Sequence, residues 1–244
     1  MAFALLVVIV VIAGFLVEKP AFGDLDPKAC SQQSQVFTSR SERVRIVVPR
    51  GWCATDHPSY PGLLVSMLHT DPPSQIMLTS EPFTRELYCS WPVNCRNQPT
   101  STARYACAIR DKLTAGRMKV GPSQLGPKEN EAAGLPSVWF EYDDGKRFLR
   151  QAITVNNDRA LSLVLSTPTN EARAAHVRPF DQALRTLQML TAAEIAAPVG
   201  AVDAGVIELD GGAGSAADGG GVPLDGGVTS DPVVKQSPIG PCPR

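Results

Sequence analysis

The chain has 244 residues, 43 % of them hydrophobic and 19 % charged, with a formal net charge of −1. That length allows one domain with appendages or two small ones, the hydrophobic share excludes a wholly disordered chain, and near-neutrality speaks against a nucleic-acid binder, whose basic face shows as a positive excess. The neutral total hides a split: residues 24–192 carry 20 Lys and Arg against 16 Asp and Glu, whereas residues 193–244 carry 2 against 7.

Residues 2–17, AFALLVVIVVIAGFLV, form an apolar run of 16. This is shorter than the ~20 residues of a membrane-spanning helix and close to the core of a signal peptide. Pro20 stops any helix, and Ala21-Phe22-Gly23 places small residues where a signal peptidase reads, so cleavage is expected before Asp24. No Lys or Arg precedes the run, so a retained N-terminal anchor is the alternative; Cys30 lacks the upstream Leu of a lipoprotein signal. The mature chain is therefore expected to be exported, periplasmic or secreted, meeting a membrane only through residues 2–17 if these are kept. The expected organisation is a signal peptide over 1–23, a lead over 24–34, a folded domain over 35–192 and a tail over 193–244.

Six cysteines, at 30, 53, 89, 95, 107 and 242, suit disulfides in an exported chain, although six cysteines allow 15 complete pairings. The short stretch YCSWPVNC favours Cys89 with Cys95; Cys53–Cys107 would tie an early strand to a helix and Cys30–Cys242 would tether both ends of the mature chain, and the sequence leaves the pairing of these four open. No CxxC or His-x-Cys spacing supports zinc, and no metal or other cofactor is expected.

The first element is a strand in which Val44, Ile46 and Val48 alternate with Arg43, Arg45 and Val47, ended by Pro49-Arg50-Gly51. Residues 62–68 and 75–80 predict two more strands around the turn Asp71-Pro72-Pro73. Residues 81–101, with three prolines and the pair Cys89 and Cys95, predict a loop. Tyr105, Ala106, Ile109 and Leu113 then share one helical face, with Ser101 or Thr102 as the cap. Val138, Phe140 and Tyr142 alternate up to the turn Asp144-Gly145, after which 148–155 and 160–166 form two further strands. A closing helix carries Val177, Phe180, Ala183, Leu184 and Leu187 on one face, with a kink or break expected at Pro179. The fold class is α+β: an antiparallel sheet of about six strands packed by at least two helices.

Val47-Val48-Pro49-Arg50-Gly51-Trp52 resembles the VP-x-GW opening of PsbP-like proteins, a group that includes DcrB-like and LpqN-like extracytoplasmic proteins. The run QAITVNNDRALSLVLSTPTNEARAAHVRPFDQALRTLQML is similar to their last hairpin and C-terminal helix. The resemblance covers roughly residues 35–190. It implies a curved antiparallel sheet sandwiched by helices, in proteins that mostly bind or scaffold, with no shared catalytic residue to carry over.

Beyond residue 193 the composition changes: 11 of the 20 glycines and none of the aromatics lie there. Such a tail cannot bury enough apolar surface to offset its ordering entropy, so disorder is expected; GGAGSA has Ala where a calcium-binding GGxGxD repeat needs Asp.

Candidate sites are sparse. His69 and Asp71 could join a serine in a small secreted hydrolase, but no GxSxG elbow is present. His57 lies in a Pro-rich loop, and His176 is expected at the surface. Trp52 is expected to plug the core and Trp139 to pack beneath a helix. Trp91, between two cysteines, is expected to be exposed. With Arg43 and Arg45 it forms the candidate binding surface, beside Arg40 and Arg50. The expected function is therefore an exported, non-catalytic binding or scaffolding domain for a cell-envelope protein, lipid or polymer, with the hydrolase as the alternative.

Overall fold

The computed structural model describes residues 35–57, 60–125, 136–156, 158–196 and Cys242. The expected signal peptide, the lead and most of the acidic tail lie outside the described residues. Chain order is β1 (Gln35–Ser39), β2 (Val44–Val48), β3 (Cys53–Asp56), β4 (Leu63–Thr70), β5 (Pro73–Pro82), the short helices α1 (Arg85–Cys89) and α2 (Val93–Arg96), and the long helix α3 (Ser101–Ala115). There follow β6 (Lys119–Val120), β7 (Gln124–Leu125), β8 (Ser137–Asp143), β9 (Phe148–Asn156), β10 (Arg159–Thr167), helix α4 (Asn170–Thr186), β11 (Gln188–Met189) and α5 (Ala192–Ala196).

The fold is α+β. Among the described residues an eight-stranded sheet runs β3-β4-β5-β10-β9-β8-β6 with β7 also on β8, and a separate three-stranded sheet runs β1-β2-β11; the paired strands are antiparallel. The eleven strands exceed the expected six by β1, β3, β6, β7 and β11; the last three have two residues each, and β1 and β3 bury no residue fully, so none offers a buried period to read. Strand β2 shows the expected alternation, with Val44, Ile46 and Val48 at most 1 % exposed. It belongs, however, to the small sheet. Period-two alternation reveals a buried face but not the neighbouring strand.

The turns follow their residues. Between β8 and β9, Asp144 Oδ1 accepts from the amides of Lys146 and Arg147, and Gly145 takes φ 84°. Gly62 takes φ 86° before β4, and a Cβ there would stand 3.1 Å from the Ser80 carbonyl oxygen. The cap of helix α3 is Thr100, ahead of both expected candidates Ser101 and Thr102: its Oγ1 accepts from the Ala103 amide at 3.1 Å. Thr169 caps α4 in the same way. That helix runs uninterrupted across Pro179. The carbonyl that loses its N–H partner belongs to exposed Ala175, where water can take it up.

Three layers result. On one face of the large sheet, Tyr105, Ala106, Ile109 and Leu113 of α3 pack on Val138, Phe140, Leu149 and Ile153. On the other, Phe180, Ala183 and Leu184 of α4, joined by Val44, Ile46 and Val48, pack on Val65, Ile76, Leu78, Leu161 and Leu163. Among the described residues no helix is long and apolar enough to cross a membrane.

The expected loop over 81–101 contains α1 and α2, the first capped by Thr84 Oγ1. The cysteine pairing also differs from expectation. Cys95, fully buried in α2, bonds to Cys107 of α3, with Cα atoms 5.2 Å apart. Cys89, at the end of α1, bonds to Cys242 with Cα atoms 5.5 Å apart, so it does not pair with Cys95; Cys53 is disulfide-bonded too, but not to Cys107. The Cys89–Cys95 proposal assumed a loop closing on itself. Two helical turns instead aim one sulfur inward at α3 and leave the other half-buried. Disulfide bonding fits an oxidising compartment. Regular structure also reaches beyond residue 192, where α5 is held by Thr191 Oγ1 accepting from the Glu194 amide and by the Arg45–Glu194 ion pair at 3.1 Å.

Candidate functional site

Three segments far apart in sequence meet at one pole of the molecule: the β1–β2 turn, the β9–β10 turn, and the exit from β11. Arg43 closes the first turn at φ 58°, its carbonyl accepting from the Leu190 amide at 2.8 Å. A left-handed backbone is uncommon for a residue other than glycine, and it is held here by the surrounding bonds. Glu42 accepts from Ser80 Oγ at 2.7 Å and pairs with Arg159 at 3.1 Å. Between the segments lies a cavity of about 170 Å3 lined by Ser41, Glu42, Arg43, Asn156, Asp158, Arg159, Met189 and Leu190.

The cavity has a divided character. Glu42 and Arg159 neutralise each other on one wall, and Met189 and Leu190 supply an apolar patch. The side chains of Arg43, Asn156 and Asp158 have no hydrogen-bond or ion-pair partner among the described residues. A cation, an amide and an anion thus remain available around one small space. Such groups can orient a bound molecule.

The other expected site residues fall elsewhere. Arg45 is engaged by Gln188 Oε1 at 3.0 Å and by Glu194, and does not join Arg43 in a free surface. Trp91 is only 4 % exposed, contrary to expectation. Its ring packs 5.6 Å from Phe83, 5.7 Å from Tyr88 and 5.7 Å from Tyr105, so it is the centre of an aromatic cluster rather than a surface contact. Trp52 is 2 % exposed, as a core plug should be. Trp139 is half-buried on the α4 face under the Arg150 guanidinium, which stacks 3.9 Å above its ring.

No hydrogen bond joins the Asp71 carboxylate to the His69 ring. The Asp71 backbone amide, not its carboxylate, reaches His69 Nδ1, at 3.3 Å. The cross-strand neighbour of His69 is Ser74, whose buried hydroxyl has no hydrogen-bond partner and so passes no proton to the imidazole. His69 instead lies 4.6 Å from the ring of His176 and 5.2 Å from Trp52. His176 is 4 % exposed and not at the surface, because it falls on the same face of α4 as Ala172 and Phe180. Its Nε2 lies 3.2 Å from the Pro72 carbonyl oxygen. Burial holds its pKa below the ordinary histidine value; the Pro72 contact opposes this and the neighbouring His69 adds to it.

A serine–histidine contact does exist, between His57 Nε2 and Ser66 Oγ at 2.7 Å. Ser66 is 3 % exposed in mid-β4 and laddered to both β3 and β5, so no free backbone amides surround it as an oxyanion hole requires. Sequence spacing also missed the cavity, whose residues carry no periodic pattern. Of its lining only Arg43 is among the expected surface residues, for its charge.

No family model matches the sequence, and no curated protein does. Among solved structures, the chain is similar to cyanobacterial PsbP (CyanoP) from Synechocystis, with 14 % identity over 65 % of this chain and 93 % of that chain at a TM-score of 0.45. It is also similar to a Mog1 variant, with 8 % identity over 67 % of this chain and 100 % of that chain at a TM-score of 0.40.

Proposed function

We propose that this chain is an exported, non-enzymatic PsbP-like domain that binds a partner in the cell envelope through the polar cavity at the sheet pole. The observation that carries the reading is the set of three unpartnered polar side chains, Arg43, Asn156 and Asp158, around a space of about 170 Å3. Arg43 and Asp158 are exposed and Asn156 is half-buried, so all three are open to a partner arriving from solvent. The apolar segment 2–17 and the disulfides support export, and the VVPRGW and STPTNEARAAHVRPF runs support the PsbP-like assignment.

The test is photo-crosslinking from position 156 in the oxidised full chain, applied to an envelope extract. A discrete adduct that disappears with Arg43→Asn supports the binding reading. Turnover in a hydrolase screen that is lost in His69→Ala overturns it in favour of the enzyme.

A further inference from the structure

We infer that the lead is fastened covalently to the folded domain: Cys53, at the start of β3, is bonded to Cys30, and this cross-link closes the open end of the β1–β2 hairpin. Cys53 is disulfide-bonded. Of the six cysteines, Cys89 and Cys242 are joined to each other, as are Cys95 and Cys107. Each sulfur forms one such bond, so the partner that remains in the chain is Cys30, which lies outside the described residues. The ladder of the hairpin agrees with this pairing. Gln35 stands opposite Val48 at its open end, with Cys30 five residues before the one and Cys53 five residues after the other. Two arms of equal length thus start from one cross-strand pair. Facing Cα atoms in such a ladder are ~5 Å apart, and five residues reach at most ~17 Å. Both arms can therefore bring their ends to the ~4.4–6.8 Å Cα separation of a disulfide.

The bond secures a weakly held element. Strand β1 is the edge of the small sheet, paired with β2 on one side, and none of its five residues is fully buried. A two-stranded hairpin holds poorly in water by itself. Yet the turn of this hairpin, Ser41, Glu42 and Arg43, lines the polar cavity, and from it Glu42 holds Ser80 and Arg159. Closing the far end limits how far β1 can peel from β2, and so keeps that turn in place. Forming the bond removes two protons and two electrons from the thiols, which a disulfide-bearing thiol oxidoreductase of an oxidising compartment accepts by exchange. A cysteine so engaged has no thiol left for a lipid thioether. Any cleavage of the apolar segment must fall before Cys30, as the expected cut before Asp24 does. The inference stands independently of what the cavity binds.

The experiment digests the oxidised protein, produced by export from its own N-terminal segment, with trypsin under non-reducing conditions and weighs the products by mass spectrometry. Cuts after Lys28, Arg40, Arg50 and Arg85 place the two cysteines on peptides 29–40 and 51–85. Expected is one species of the two peptides joined, which parts on reduction. Peptide 29–40 with a free thiol or joined to any other peptide overturns the inference. So does a mature chain that begins after residue 30, or two copies of 51–85 joined to each other. The double variant Cys30→Ser, Cys53→Ser leaves no odd thiol and supplies the second readout. Hydrogen exchange over residues 35–48 should quicken roughly tenfold or more in it, as local opening of the hairpin becomes easier, while α3 and α4 keep their rates. Unchanged exchange over 35–48 overturns the closing role of the bond.

Discussion

The two faces of the large sheet solve the same packing problem by different means. The α4 face is closed by a 17-residue helix whose buried side, Ala172, His176, Phe180, Ala183 and Leu184, follows one helical stripe. The α3 face needs more: beside α3 it is closed by α1, of five residues with none fully buried, and by α2, of four. Helices so short cannot hold themselves by backbone bonds, and they are stitched down instead by Cys95–Cys107 and by the Phe83, Tyr88, Trp91 and Tyr105 rings. Covalent anchorage appears where regular structure is too short to bury its own weight of apolar surface. A long amphipathic helix makes it unnecessary.

The largest expected effect is on the α4 face. Phe180 is fully buried, and Phe180→Ala should cost about 3–5 kcal/mol in denaturant unfolding. A loss below 1 kcal/mol would mean that α4 is not what closes that face. On the α3 face the corresponding perturbation is removal of the disulfide. The cysteines are 12 residues apart, and a loop of that order is worth about 3 kcal/mol. The double variant Cys95→Ala, Cys107→Ala should also speed hydrogen exchange over residues 85–107 more than over α4. Uniform exchange across both faces would break the comparison.

The legible parts of the fold are those with a period. Val44, Ile46 and Val48, the Val138–Tyr142 alternation, the Asp144-Gly145 turn and the α3 face all declare themselves, because burial repeats every two or 3.6 residues. What the pattern cannot carry is pairing over distance. Cys242 lies 153 residues from Cys89, and nothing local distinguishes it from a tail residue. Trp91 looks like a loop residue until Phe83, Tyr88 and Tyr105 are folded around it. His176 is one polar residue in an apolar stripe, read as a gap in the stripe when it is part of it. Arg43 stands among the strand arginines in the sequence, but its neighbours at the cavity come from the β9–β10 turn and from the exit of β11. The site is a product of tertiary assembly, and only one of its three segments offered a clue.

The faces also differ in the groups they bury. Glu81 shares the α3 face with Thr79 and Met77, opposite Ala160, and burial pushes its carboxyl up to about 7 against the opposing pull of Lys112. A raised carboxyl contributes stability that is fully present below the ordinary value of 4.5 and is lost as pH rises through about 7. Glu81→Gln keeps the neutral form at every pH. It should stabilise the domain by about 2 kcal/mol at pH 8 once partial solvent screening is allowed for, and by nothing at pH 4. Thermal unfolding at the two pH values measures it; an equal change at both would show that packing, not ionisation, is responsible.

His176, on the α4 face, has the opposite sign and the smallest expected effect. Its pKa is lowered in the folded state, chiefly by burial, so the unfolded chain takes up a proton first as pH falls below 6.5. Stability is therefore complete above about 6.5 and declines below it. His57, between β3 and β4, is lowered by burial against the pull of Asp56 and adds a slope of the same sign, whereas Glu81 gains stability over part of this range and masks both. The decisive measurement is a stability profile from pH 8 to pH 5 in the Glu81→Gln background, with and without His176→Gln, which can still donate to the Pro72 carbonyl. The acid-side decline should become shallower with His176→Gln, and shallower again when His57→Gln is added. If the slope is unchanged by His176→Gln, the Trp52–His69–His176 cluster tolerates the proton, and the α4 face is wetter around that helix than its burial implies.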